Sequence, residues 1–160
     1  LLEAEFGESV RVERDYDPSI PPVYADASAI RRVMLNLLRN ACQAGASVIV
    51  IRTRVEHGHA LLQSGQGSVI RLDFIDNGQG VPESLRSLLF LPLVTGRRNG
   101  TGLGLALSQQ IASALVLAGG ESKPAHGGLL TFEALQQGSR FTLRLPFNHA
   151  EESHPGERPR

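Results

Sequence analysis

The chain has 160 residues, and its 16 basic and 16 acidic side chains give a formal net charge of zero at neutral pH. This length fits one domain, and a hydrophobic content of 41% is sufficient for a packed core. The charge balance excludes a global electrostatic field for nucleic acid or anionic lipid, and no apolar run reaches the length of a membrane span. The single cysteine, Cys42, excludes an internal disulfide and is compatible with a reducing cytoplasm.

The first predicted elements are a strand and a long helix. Residues 10–16 alternate between apolar and charged side chains, which predicts a short edge strand. Apolar residues then recur at helical spacing over residues 30–42, and either Asp26 or Ser28 is suited to cap the start of this helix. Gly45 supplies its stop.

Two strands and a short helix follow. Residues 48–55 and 69–75 are dense in β-branched side chains, which predicts strands, and the polar stretch 57–67 between them predicts a long exposed loop. Pro82 suits the first turn of a short helix that runs to Leu89. Residues 90–101 have no period and contain Pro92, so we expect a loop there.

The remaining elements are a helix and two strands. The helix begins near residues 102–104 and stops at the glycine pair 119–120. Its expected buried side carries Leu103, Leu107, Ile111, Ala114 and Leu115. Residues 131–133 and 141–145 predict strands joined by a turn at 136–138, and the polar end of the chain predicts a disordered tail. Helices and strands that mix without strict alternation favour a two-layer α+β sandwich.

Polar side chains interrupt the long helix on one flank. Asn36, Asn40 and Gln43 are spaced three or four residues apart, so they lie on the same side. A neutral amide oxygen that faces a cleft can ligate Mg²⁺ together with water and phosphate oxygens. The alternative, an asparagine pair on a solvated helix face, is the better explanation of this spacing when the spacing is taken alone.

Asp76 directly follows an apolar strand and begins an Asp-x-Gly-x-Gly segment with Gly78 and Gly80. A carboxylate at this position can accept a hydrogen bond from the exocyclic amine of adenine, and the glycines allow a planar base to approach the backbone. An ordinary Asp-Asn-Gly turn is the alternative.

The third segment, residues 100–105, is rich in glycine and opens a helix, where free N–H groups favour phosphate oxygens. It lacks the fingerprint of a dinucleotide-binding turn, because no strand directly precedes it. A phosphate-binding P-loop is excluded as well, since Lys123 is the single lysine and lies in Glu-Ser-Lys-Pro-Ala.

In order and spacing these segments resemble the GHKL superfamily of ATPases and kinases, and within it the catalytic ATP-binding domain of two-component histidine kinases. The matching segments are residues 36–41 (N box), 76–80 (G1 box), 89–92 (F box) and 100–105 (G2 box). The resemblance implies a Bergerat-type fold over residues 10–147, with a mixed sheet packed on one face by about three helices. Residues 1–9 would be a lead-in from an upstream segment, and residues 148–160 a disordered tail.

The same resemblance implies a site for ATP and Mg²⁺. Asn40 would ligate the metal ion and take part in catalysis, and Asp76 would hold adenine, with Gly78 and Gly80 shaping the pocket. Arg97 is a second catalytic candidate, because an arginine can neutralise charge on a transferring phosphoryl group. The other residues expected at the nucleotide are Asn36, Arg39, Gln43, Val81, Thr95, Arg98, Gly100, Thr101, Gly102, Leu103, Gly104 and Ser139.

A narrower resemblance, to nitrogen-regulation sensor kinases of the NtrB type, rests on residues 14–21, 52–54 and 90–97. It implies a cytoplasmic protein-histidine kinase that dimerises through a helical hairpin, phosphorylates a response regulator and answers to a PII-type signal protein. Neither nucleic acid nor a membrane is implied as a partner.

The chain departs from such a kinase because its histidines lack the neighbours of a phosphoacceptor. The five are His57, His59, His126, His149 and His154. We therefore expect an excised catalytic domain, monomeric as a fragment, that begins at Leu1 without an initiator Met and needs a histidine outside this chain. A free-standing GHKL serine kinase of the anti-sigma-factor type, or a degenerate nucleotide binder, is the alternative. Residues 115–125 form an insertion relative to the family pattern, and we expect them to extend the helix and to add a surface loop.

Overall fold

The computed structural model describes residues 10–57, 68–96, 100–117 and 125–147. Several predictions fall outside these ranges, namely those for residues 1–9, 58–67, 119–120 and 148–160. Within the described residues the chain forms three helices, a five-stranded sheet and a two-stranded ribbon.

The helices are α1 (Ala27–Gln43), α2 (Glu83–Arg86) and α3 (Gly104–Ala114). The strands are β1 (Arg11–Asp15), β2 (Val48–His57), β3 (Ser68–Asp76), β4 (Val116–Leu117), β5 (Ala125–His126), β6 (Leu129–Ala134) and β7 (Ser139–Phe147). The predicted strands and the long helix are confirmed. α2 is shorter than predicted, since turns replace its second half through Phe90.

The main sheet is mixed and has the order β1-β2-β3-β7-β6. β1 runs parallel to β2, and all other neighbours are antiparallel. The register places Asp76, the last residue of the central strand β3, opposite Ile49 of β2 and Ser139 of β7. The polar segment that follows Asp76 therefore lies at one end of the sheet centre.

The hydrophobic core lies between one face of the sheet and the helices. Alternate strand residues point to this face because successive side chains of a strand point to opposite sides. The buried core includes Val33, Leu37 and Leu38 of α1, Ile49 and Ile51 of β2, Ile70 and Phe74 of β3, and Phe141, Leu143 and Leu145 of β7. This arrangement confirms the two-layer α+β sandwich.

The start and the end of α1 follow from its sequence. The Asp26 carboxylate accepts hydrogen bonds from the N–H groups of Ser28 and Ala29 at 2.9 and 3.0 Å, so Asp26 is the cap. Gly45 adopts a φ of +75°, which favours glycine and ends the helix as predicted.

α3 differs from its prediction in its end and in its buried face. It ends at Ala114 and Val116–Leu117 form β4, so the expected helix extension is wrong over residues 115–117, while residues 118–124 lie outside the described residues. Of the residues expected on its buried side, Leu115 is buried and Ile111 half-buried, but Leu103, Leu107 and Ala114 are exposed. Ala106, Ser108 and Ala112 are buried instead. The physical reason is that α3 turns Gly104 and Ser108 towards Asn36 of α1, which carries Leu103 and Leu107 away from the interior.

The other face of the sheet carries ion pairs. They join Asp15 to Arg52 and Arg54 (2.6 and 2.9 Å), and Glu56 to Arg71 and Arg144 (2.7 and 3.0 Å). Asp73 lies on the same face, is 2% exposed and accepts a hydrogen bond from the Thr142 hydroxyl at 2.8 Å. Among the described residues this face is charged, and the helices lie on the opposite side.

Candidate nucleotide-binding site

A cavity of about 500 Å³ lies between α1, the end of β3 and the start of α3. It brings together the three polar segments that the sequence separates. The predicted site residues that line it are Asn36, Arg39, Asn40, Gln43, Asp76, Gly80, Val81, Thr95, Gly100, Thr101, Gly102, Gly104 and Ser139. Asn40 and Asp76 therefore face one shared hollow.

α1 supplies the polar wall of the cavity. Asn36, Arg39, Asn40 and Gln43 lie along one flank of the helix, while its opposite flank is buried in the core. Asn36 and Asn40 are half-buried, and Arg39 and Gln43 are exposed. This wall therefore offers amide groups and one guanidinium to a ligand in the cavity.

Asp76 forms the buried end of the cavity and is 6% exposed. Its Oδ1 atom accepts the Gly78 N–H at 2.9 Å, and the Ser139 backbone also hydrogen-bonds to this carboxylate. Burial raises the pKa of Asp76 above its ordinary value, although both hydrogen bonds favour the charged form. A carboxylate has about four acceptor positions, so it retains capacity for an exocyclic amine of a ligand.

The turn after Asp76 is held by its own polar groups. The Asn77 Oδ1 atom accepts the N–H groups of Ser47 and Val48, both at 3.0 Å, and fastens the turn to the start of β2. The Gln79 N–H donates to the Ala44 carbonyl at 2.9 Å. The turn is thus fixed to the end of α1, which keeps Asp76 and the α1 wall at a constant separation.

The glycine-rich segment reaches the cavity at the start of α3. Gly102 adopts a φ of +65°, and its carbonyl accepts the Leu93 N–H at 2.9 Å. A Cβ on Gly102 would lie 2.5 Å from the Leu93 carbonyl carbon, so the two chain segments approach closely. The side chain before α3, Leu103, makes no cap hydrogen bond, and the N–H groups of a first helical turn favour anionic oxygens.

Two predicted site residues of the described part of the chain, Gly78 and Leu103, do not line this cavity. Gly78 lines a separate cavity of about 520 Å³ beside the same turn. Leu103 is 47% exposed, and Leu105 lines the cavity in its place. Arg97 and Arg98 lie outside the described residues.

Sequence reasoning missed several residues at the cavity. Those that line it are Ala41, Ala44, Gln79, Pro82, Leu85, Leu89, Val94, Gly96, Leu105 and Phe141. Gln79 could have been found, because it lies inside the Asp-x-Gly-x-Gly segment. Leu85 and Leu89 could not, since a leucine pair in a short helix also fits an ordinary core.

The donor set fits a magnesium ion that is held together with a phosphate. No group of three or more His, Cys, Asp or Glu side chains that could hold a metal occurs among the described residues. A hard cation here would therefore depend on ligand and water oxygens plus an amide oxygen, which Asn40 can provide.

The chain belongs to the family of histidine kinase-, DNA gyrase B- and HSP90-like ATPases, whose model it matches over residues 25–149. It is an ATP-binding domain of the kind that sensor histidine kinases carry. The sensory histidine kinase/phosphatase NtrB of Vibrio alginolyticus is 37% identical over 150 residues, which cover 91% of this chain and 40% of that protein. NtrB of Rhodobacter capsulatus is also 37% identical, with 88% and 38% covered. The chain spans about two-fifths of these curated relatives.

Solved structures share the fold. The catalytic domain of the histidine kinase ThkA, in a nucleotide-free form, has a TM-score of 0.66 and 25% identity, and the match covers 91% of this chain and 87% of that one. Full-length ShkA in complex with AMPPNP has a TM-score of 0.67 and 24% identity, with 93% and 27% covered. In this chain, no helix of the described residues is both long and apolar enough to cross a membrane.

Proposed function

We propose that this chain binds Mg²⁺-ATP and supplies its γ-phosphoryl group to a histidine outside the chain, as the catalytic domain of an NtrB-like sensor kinase. The observation that carries the proposal is the cavity in which Asn40, Asp76 and the glycine-rich start of α3 meet. A buried carboxylate, an amide wall and a helix start are the groups that a purine, a hydrated cation and a triphosphate require.

Each group has a distinct task in this proposal. Asp76 accepts the adenine amine, while Ser139 and Gly80 leave room for the flat base beside it. The N–H groups at the start of α3 bind phosphate oxygens, and Arg39 adds positive charge at the same end. Asn40 would hold Mg²⁺, which supplies neutralisation of charge on the phosphates.

The phosphoryl acceptor and the further partners lie outside this chain. The relatives are named as sensory histidine kinases, which supports a histidine as the acceptor. In the proposal this histidine lies in a helical hairpin, and a response regulator receives the phosphoryl group from it. We extend this to a cytoplasmic full-length protein that dimerises through the hairpin and answers to a PII-type signal protein. Arg97 remains a candidate to neutralise the transferring phosphoryl group.

Two measurements test the proposal. Calorimetry with and without Mg²⁺ should give ATP binding that strengthens with the metal. Incubation with radiolabelled ATP and the separate hairpin of an NtrB relative should label that hairpin with acid-labile phosphohistidine. A hairpin in which alanine replaces the acceptor histidine is the control and should stay unlabelled. Absence of ATP binding, or acid-stable phosphoserine on a substrate protein, would overturn the proposal.

A further inference from the structure

A hydrogen bond joins the two long helices beside the cavity. The Asn36 Nδ2 atom of α1 donates to the Ser108 hydroxyl of α3 at 2.9 Å. Ser108 is 2% exposed, so its hydroxyl lies where an unpaired polar group is costly. The bond therefore fixes the distance between α1 and α3 one turn below the start of α3.

The Asn36 side chain also lies against the first residue of α3. A Cβ on Gly104 would come within 2.3 Å of the Asn36 Oδ1 atom and 3.1 Å of its Cγ atom. The φ of Gly104 lies outside the left-handed region, so its backbone is compatible with other residues. A side chain at position 104 would therefore displace the Asn36 carboxamide and strain its hydrogen bond to Ser108.

We propose that Asn36 is a positioning residue, and that it holds the phosphate-binding start of α3 through Ser108 and against Gly104. The inference rests on the proposed function, because it assigns the start of α3 to phosphate oxygens. It gives Asn36 a positioning role, in addition to the place at the nucleotide that the sequence predicted for it. One carboxamide touches both the backbone and a buried hydroxyl of α3, so it sets the position and the orientation of the helix start. Displacements of about 1 Å in such groups weaken binding and catalysis strongly.

The packing part of this proposal is tested without nucleotide. Thermal unfolding is measured for the 160-residue chain and for Gly104→Ala, Asn36→Ala and the double variant. Gly104→Ala should lower the melting temperature, and Asn36→Ala should suppress that loss, since the space becomes free and alanine favours a helix over glycine. Gly102→Ala serves as a contrast, because a Cβ at this position would meet Leu93 and Val94. Asn36→Ala should not suppress the loss of melting temperature that Gly102→Ala causes. Additive losses in the Gly104 and Asn36 pair would overturn the proposal.

The positioning part is tested by comparing ATP with AMP, each in competition with a fluorescent ATP analogue at saturating Mg²⁺. Ser108→Ala should weaken ATP binding by about tenfold relative to AMP, because AMP lacks the terminal phosphates. Asn36→Ala should do the same, and the double variant should be no worse than either. Ser113→Ala, on the exposed side of α3, is the matched control and should keep the wild-type ratio. An equal loss for both nucleotides, or no loss, would overturn the proposal.

If the wild-type chain does not bind ATP, the proposed function itself is refuted. The unfolding comparison would still decide whether Asn36 and Gly104 are coupled.

Discussion

The Asp76 carboxylate accepts the Gly78 N–H at 2.9 Å, inside the turn that Asp76 itself begins. The same carboxylate lies at the buried end of the cavity and receives a second backbone hydrogen bond from Ser139. One side chain thus both shapes the turn and faces the ligand. Because an aspartate has two acceptor oxygens, it can serve both tasks, whereas an asparagine has one acceptor oxygen.

Asp76→Asn should weaken ATP binding by about ten- to a hundredfold, the factor expected when a hydrogen bond to a charged group is lost. The single amide oxygen would have to choose between Gly78 and the adenine amine. Calorimetry measures the change. Asp26→Asn is the matched control, since asparagine caps a helix as well as aspartate does and Asp26 does not line the cavity. Equal affinity in the Asp76 variant and in wild type would contradict the assignment.

The same residue predicts a pH dependence of binding. Burial raises the pKa of Asp76, so the carboxylate takes up its proton above the ordinary carboxylate value of about 4. A protonated carboxyl loses part of its acceptor capacity, and ATP affinity should fall as the pH drops towards that raised pKa. The folding stability of the ATP-free chain should change in the opposite direction. The folded state binds this proton more tightly than the unfolded state does, so Asp76 favours folding more at low pH than at neutral pH. A pH series of affinities for wild type and Asp76→Asn checks this, and equal slopes would contradict it.

The sequence predicted the cavity through the order and spacing of its three polar segments, each of which has an ordinary explanation when taken alone. Asn40 follows a helical period, and Asp76 ends a strand before two glycines, so both positions could be assigned to element ends. Register then brings those ends together, since β3 is central and α1 covers it. The spacing of the polar segments, together with the two-layer fold, is therefore sufficient to predict that Asn40 and Asp76 share a cavity.

The packing of α3 could not be predicted in the same way. Leu103 and Leu107 look like a buried stripe, yet the helix turns Gly104 and Ser108 towards Asn36 of α1, and both leucines are exposed. Periodicity shows which residues are apolar, but it does not show how closely two helices approach. The role of Asn77 was likewise hidden, because it depends on β2, about 30 residues earlier in the chain.

Asn40→Ala should reduce the gain in ATP affinity that Mg²⁺ provides, by about tenfold, while affinity measured in a chelator stays close to that of wild type. The reason is that Asn40 offers a neutral oxygen to a cation that the phosphates also bind. Paired titrations with Mg²⁺ and with chelator measure the difference. Gln110→Ala, exposed on α3, is the control. A variant that retains the full magnesium effect would assign the metal to another residue.

Glu56→Gln should lower the free energy of unfolding by about 1–3 kcal/mol at neutral pH, because it removes a charge that Arg71 and Arg144 both contact. Burial alone raises the pKa of Glu56, but the hydrogen bonds from the two arginines outweigh it and leave the pKa below its ordinary value. This stabilisation is present above the unfolded pKa of about 4.3 and is lost as the pH falls through the lower folded value.

Urea unfolding between neutral and acid pH measures the loss of this stabilisation in wild type and its absence in Glu56→Gln. Glu133→Gln is a matched control, since Glu133 pairs with Arg140 at 2.8 Å but is 58% exposed. Its cost should stay below about 1 kcal/mol. Similar costs for the two variants would show that burial of Glu56 adds nothing to its pair.

Gly138→Ala should be among the most damaging changes at the adenine end of the cavity. Gly138 adopts a φ of +83°, and a Cβ there would come within 1.8 Å of the Asp76 carbonyl oxygen. Gly45 has a similar φ of +75°, but a Cβ on it meets nothing within 4 Å. The left-handed conformation alone costs about 1–2 kcal/mol, and a forced contact adds about 1–3 kcal/mol. Urea unfolding should therefore show a clearly larger loss of unfolding free energy for Gly138→Ala than for Gly45→Ala.

The ATP affinity of the folded Gly138→Ala variant should also fall, because the added Cβ would push Asp76 and Ser139 apart. If the two variants lose the same stability, the contact between Gly138 and Asp76 does not constrain the site.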